Sequence, residues 1–144
     1  MLVSACLAGI PCRYDGKSRG REEIIALVKA GRARTFCPEV LGGLKIPRAP
    51  SEIVGGDGGD VLDGKAKVMS RDGEDLTTEF IGGANAVLDL CRKSGTNEVL
   101  LKSKSPSCGV GKVHDGTFSG TLRMGDGVTA ALLKRNGIKV VEIE

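Results

Sequence analysis

The sequence predicts an α/β fold: one compact three-layer domain over residues 1–144, with a mainly parallel sheet and a glycine-rich, hairpin-like excursion around residues 47–73. Three observations carry that expectation. Short apolar runs suited to buried strands alternate with longer stretches whose apolar residues recur at helical spacings of three and four. Parallel strands require crossover connections, and these stretches supply them. A chain of 144 residues, 40% hydrophobic and 27% charged, is also long enough to build one core without disulfide staples.

The first strand is Leu2 to Ala5. A helix carried by Ile24, Leu27 and Val28 closes at Gly31, a residue suited to the left-handed turn that ends helices. Ala33 to Phe36 gives a second strand. In the excursion, Gly55-Gly56-Asp57-Gly58-Gly59 separates two short strands, around Ile53 and from Lys67 to Met69. Asp75 is placed to cap the longest helix, whose stripe of Phe80, Ala84, Val87, Leu88 and Cys91 ends at Gly95. A strand from Glu98 to Leu101, a helix from Asp126 to Arg135 closed by Gly137, and a strand from Lys139 to Ile143 complete the chain.

Composition narrows the function. A net charge of +3 is too small for a nucleic-acid coat. The basic residues Arg13, Lys17, Arg19, Arg21, Lys29, Arg32 and Arg34 do gather between positions 13 and 34, so a small anion or an RNA stays open as a partner. Tyr14 alone offers no series of stacking platforms. No run of about 18 apolar residues predicts a membrane span, and MLVSACLAGIP has no charged region ahead of its apolar stretch. The expected location is the cytoplasm, where five cysteines are ligands, catalysts or core filler rather than a disulfide framework.

Three of those cysteines follow predicted parallel strands: Cys6 the first, Cys37 the second and Cys108 the third. Open α/β sheets gather their sites outside the carboxyl ends of the strands, so the three thiols are expected to converge. Their loops, Cys6-Leu7-Ala8-Gly9, Cys37-Pro38-Glu39 and Ser105-Pro106-Ser107-Cys108-Gly109, are built of small or rigid residues that let backbone approach a bulky object. Thiolates hold iron–sulfur clusters, and three of them on a four-iron cluster leave one iron open, as a catalytic zinc keeps a vacant position. Cys91 falls on the apolar face of the longest helix and reads as core. Cys12 reads as a fourth ligand, a resolving thiol or a neighbour of the ligands. His114 has no second histidine or cysteine at zinc spacing and reads as surface or structural.

Other motifs fail. Gly16-Lys17-Ser18 lacks the earlier glycine of a phosphate loop, since Pro11 stands there, and Gly109-Val110-Gly111 lacks the third glycine of a dinucleotide fingerprint. The loop from Val3 to Arg13 is similar to the signature of low-molecular-weight tyrosine phosphatases. It places six residues rather than five between Cys6 and Arg13, and no Asp-Pro pair supplies an acid. A phosphatase using Cys6 and a zinc or redox module using Cys6, Cys12, Cys37 and Cys108 remain the alternatives.

A longer series is more specific. Cys6-Leu7-Ala8-Gly9 with Arg13-Tyr14-Asp15-Gly16, Cys37-Pro38-Glu39-Val40 with Gly42-Gly43-Leu44 and Pro47-Arg48, Asp75-Leu76-Thr77, Leu101-Lys102, Ser105-Pro106-Ser107-Cys108-Gly109 and Asp115-Gly116-Thr117-Phe118-Ser119-Gly120 resemble the DUF523 family in order along nearly the whole chain. That family includes thiouracil desulfidases. The resemblance implies a 4Fe-4S cluster on Cys6, Cys37 and Cys108, and non-redox, hydrolytic removal of sulfur from a small thiolated nucleobase or nucleoside, as from 2-thiouracil to uracil. Glu39, two residues after Cys37, is placed to activate water or move a proton, a job that requires its pKa to rise above the usual ~4.3 through burial, and Ser105 is placed to hydrogen-bond the substrate or a tetrahedral intermediate. Lys102 and Lys104 are placed to stabilise negative charge, Arg13, Tyr14 and Asp15 to shape the pocket, and Asp115 and Thr117 to brace loops.

Overall fold

The computed structural model describes residues 1–9 and 20–143. In chain order, β1 (Leu2–Ser4) runs into a 3-10 turn (Ala5–Ala8), followed by α1 (Glu22–Lys29), β2 (Arg34–Phe36) and α2 (Pro38–Leu41). The excursion comprises β3 (Ser51–Val54), α3 (Gly58–Leu62) and β4 (Lys67–Ser70). Then come α4 (Thr77–Ser94), β5 (Glu98–Lys102), β6 (Lys112–His114), β7 (Leu122–Met124), α5 (Val128–Arg135) and β8 (Lys139–Ile143).

Among the described residues, β2, β1, β5 and β8 form a parallel sheet in that order. Alternation along the strands divides it into two faces. Leu2, Val99 and Leu101 pack with Val87, Leu88 and Cys91 of α4 and Ala130 and Leu133 of α5. Val3 and Leu100 point the other way and pack with Leu7 and with Ile24 of α1. Helices therefore cover both faces, the expected three-layer α/β arrangement. No helix among the described residues is long and apolar enough to cross a membrane.

The excursion differs in one respect from a plain hairpin. β3 and β4 pair antiparallel, Ile53 opposite Val68, but a helix lies between them. Asp57 Oδ1 accepts from the Asp60 N–H and Asp60 Oδ2 accepts from the Asp57 N–H, both at 3.0 Å, a reciprocal cap that starts α3 across a glycine-rich run. Val61 seats the helix in a cluster with Ile53, Val68, Phe80 and Val128. The segment after Cys37, expected as a loop, contains α2, whose first helical residue is Pro38. The second antiparallel pair, β6 with β7, has no alternating apolar pattern to announce it, β7 being exposed throughout. Asp75 lies one residue outside the cap of α4 and accepts from the Thr77 N–H at 3.0 Å.

Two glycines set how close α2 comes to α4. A methyl group on Gly83 would run into the Pro38 carbonyl oxygen, and one on Gly42 into that of Glu79. Gly83→Ala is expected to cost about 2 kcal/mol in urea unfolding, because the neighbours are backbone and must move. It is also expected to lower activity with the altered position of Cys37, which precedes α2; an unchanged stability would show that α2 can shift freely.

Candidate active site

In the sheet order β2-β1-β5-β8 the chain passes from β1 to one neighbour, β2, and later returns to the other, β5. The loops leaving β1 and β5 part at that point and open a crevice, the usual site position in an open α/β sheet. Cys6 lies in the turn after β1, Cys37 directly after β2 at the cap of α2, and Cys108 in the loop beyond β5. All three line one cavity of about 580 Å³, together with Glu39, Ser105, Lys102 and Lys104.

Cys6 and Cys108 are buried and Cys37 is half-buried. Burial, first, and then the nearby sulfurs of Cys6 and Cys37 push the Cys108 thiol up, while hydrogen bonds with Ser107 and Ser4 act the other way. Ser4 Oγ is also 3.5 Å from Cys6 Sγ. A buried hydroxyl thus stands between two of the three thiols. Burial and the neighbouring sulfurs both disfavour the Cys108 thiolate, and a positive centre beside it would favour that form.

The donor set suits an iron–sulfur cluster. It is all sulfur, it comes from the segments that leave three parallel strands, and hydroxyls lie beside two of the sulfurs where cluster thiolates take hydrogen bonds. Among the described residues no three histidine, cysteine, aspartate or glutamate side chains stand close enough to share one metal ion. The alternative zinc set includes Cys12, which lies outside the described residues, as do Arg13, Tyr14 and Asp15.

Glu39 lies in the first turn of α2, and Arg48 Nη2 donates to its Oε2. The pair is largely enclosed, with 16% of the Glu39 side chain and 9% of Arg48 exposed. The Arg48 guanidinium thus fixes one carboxylate oxygen of Glu39 at the edge of the cavity. Ser105 Oγ accepts from the backbone N–H groups of Ser107 and Cys108, each at 3.0 Å. With both acceptor positions engaged, its own proton is the group left to offer. Lys102 Nζ donates to Ser103 Oγ at 2.9 Å.

Cys91 is in the core under the sheet, and burial pushes its thiol up. Asp115 Oδ1 accepts from the backbone and the hydroxyl of Thr117, so both brace their turn. His114, read from sequence as surface or structural, is half-buried and lines the cavity, and its buried Nδ1 has no hydrogen-bond partner among the described residues. Sequence reasoning gave no role to Ser4, Arg48, Glu52, Arg71 or Phe118. Four of these line the cavity and Arg48 holds Glu39. The available signals were the motif series, which contains Arg48 and Phe118, and Glu52, a carboxylate next to Ile53 and Val54 in β3.

The chain matches the family described as 2-thiouracil desulfurase over residues 1–144. The uncharacterized protein YbbK of Bacillus subtilis (strain 168) is 48% identical over 141 residues, covering 98% of this chain and 93% of that protein. Among solved structures, the 4Fe-4S-dependent thiouracil desulfidase TudS matches with a TM-score of 0.86 and 45% identity, over 99% of this chain and 89% of that one. With three thiols from the segments that follow β1, β2 and β5 lining one cavity with a largely enclosed carboxylate, and a match that leaves no residue outside it, this chain belongs to the 2-thiouracil desulfurase family of enzymes.

Proposed function

We propose that this enzyme removes sulfur from a thiolated pyrimidine of the 2-thiouracil type, as free base or nucleoside, by hydrolysis without net redox change, using a 4Fe-4S cluster held by Cys6, Cys37 and Cys108. The observation that carries the reading is that three thiols, from the segments following β1, β2 and β5, line one cavity with Glu39 and Ser105. The 4Fe-4S dependence of the similar TudS supports it. When bound, the cluster supplies an open iron, a Lewis acid with affinity for the soft thiocarbonyl sulfur.

The protein's part is proton transfer and placement. Glu39, held in place by Arg48, takes a proton from water as its oxygen bonds to the carbon that carries sulfur. The carbon–sulfur bond breaks, sulfide departs, and the carbonyl of uracil remains. Ser105 donates its hydroxyl hydrogen to the substrate, while its oxygen stays fixed by two backbone N–H groups. Lys102 and Lys104 place positive potential at the cavity where negative charge develops.

The test is anaerobic purification or reconstitution, followed by metal and sulfide analysis and by chromatography of a reaction with 2-thiouracil. The expected result is a brown protein with about four irons and four sulfides per chain, and conversion of 2-thiouracil to uracil with release of sulfide. A colourless protein after reconstitution, or a loaded protein that leaves 2-thiouracil intact, overturns the reading.

A further inference from the structure

We infer that Phe118 is the surface on which the planar ring of the substrate stacks, a specificity-determining residue held in the cavity wall by Glu52 and Arg71; this rests on the thiolated-pyrimidine reading above. Phe118 lines the same cavity as the three thiols, and among the described lining residues it carries the one benzene ring. Its backbone is in the left-handed region, at φ +56°. A bulky side chain is rare there, and a turn alone is served more easily by glycine. Such a conformation persists where the surroundings over-determine it, and it gathers at functional sites.

The surroundings do over-determine it. The Glu52 side chain enters from β3, on a residue 8% exposed. Its Oε1 accepts from the N–H of Gly116 at 2.9 Å and from the N–H of Phe118 at 3.2 Å. Gly116 presses so closely on β3 that a methyl group there would meet the Ile53 carbonyl oxygen. From the end of β4, the Arg71 guanidinium carbon stands 5.9 Å from the centre of the Phe118 ring and also lines the cavity. Two strands of the excursion and the β6–β7 turn thus cooperate to present one aromatic ring to the cavity. Arg71 stands over one face of this ring, so the opposite face is the one a flat heterocycle would take, with little conformational cost and with less gain for a puckered, non-aromatic ring.

The experiment compares 2-thiouracil with 5,6-dihydro-2-thiouracil, which keeps the N–C(=S)–N unit but has a puckered, non-aromatic ring. The loaded wild-type enzyme is set beside Phe118→Leu, which keeps bulk and removes the ring, and Phe118→Tyr, which keeps the ring. Phe118→Leu is expected to raise KM for 2-thiouracil roughly tenfold. It should leave kcat and the KM for the dihydro compound within about twofold, the pattern of lost ground-state binding. Phe118→Tyr is expected to restore the wild-type KM. An unchanged KM for 2-thiouracil, an equal rise for both compounds, no recovery in Phe118→Tyr, or loss of iron in Phe118→Leu would each assign the ring to the fold and overturn the inference. Wild-type turnover of 2-thiouracil is measured first. If it fails, the functional reading fails and takes this inference with it; if it succeeds, the variants judge Phe118 alone.

Discussion

Cys37→Ala, reconstituted without oxygen, is expected to hold almost no iron and to convert no measurable 2-thiouracil while keeping its secondary structure. The packing loss is small, because Cys37 is half-buried at the edge of its cluster and contributes one sulfur atom there, about 1 kcal/mol. The chemical loss is total, since two thiolates do not fix a cluster that leaves one iron open for substrate. Cys91→Ala is the matched comparison. That cysteine is 1% exposed between α4 and the sheet, so its replacement should cost stability, about 1–2 kcal/mol, with iron content and turnover intact. Iron analysis and urea unfolding on the two variants separate a ligand from core filler. Four irons retained in Cys37→Ala would remove that residue from the ligand set.

Glu39→Gln should keep its iron and lose about two to three orders of magnitude in kcat, with KM little changed, because the amide has the size of the carboxylate but cannot take a proton. It also removes the carboxylate that accepts from Arg48 Nη2. Both side chains are largely enclosed, so a stability loss of about 3 kcal/mol accompanies the change. Arg48→Met controls for this. It breaks the same ion pair and should lose similar stability, yet it retains the carboxylate and should lose less activity than Glu39→Gln. Equal kcat losses in the two variants would make Glu39 a structural anion; a kcat within threefold of wild type in Glu39→Gln would remove it from proton transfer.

Local pattern accounts for the elements that were legible before any coordinates. The stripe on α4 and the apolar runs of β1 and β5 are read within a single segment, and burial follows that pattern residue by residue. α3 escaped because five residues carry no periodic stripe and two of its residues are glycine. Its signals were the Asp57–Asp60 spacing and, less legibly, the seat of Val61 against Ile53 and Phe80. α2 had a readable sign in Pro38 at its first position, but its closeness to α4 depends on Gly83, distant in sequence. β7, exposed throughout, had no pattern to read.

The same division runs through the site. Strand–helix alternation and cysteines just beyond strand ends, together with the motif series, determined an α/β sheet, a three-thiol candidate set and the family. These follow from chain-local chemistry and from the rule that loops at carboxyl ends share one rim. Only the tertiary structure decided that Arg48 neutralises Glu39, that Ser4 stands beside two thiols, that His114 faces the cavity, and that Glu52 reaches Phe118 across 66 positions. Which charges and hydrogen bonds are satisfied at a buried wall depends on partners from separate elements, and that pairing exists only after the layers have packed.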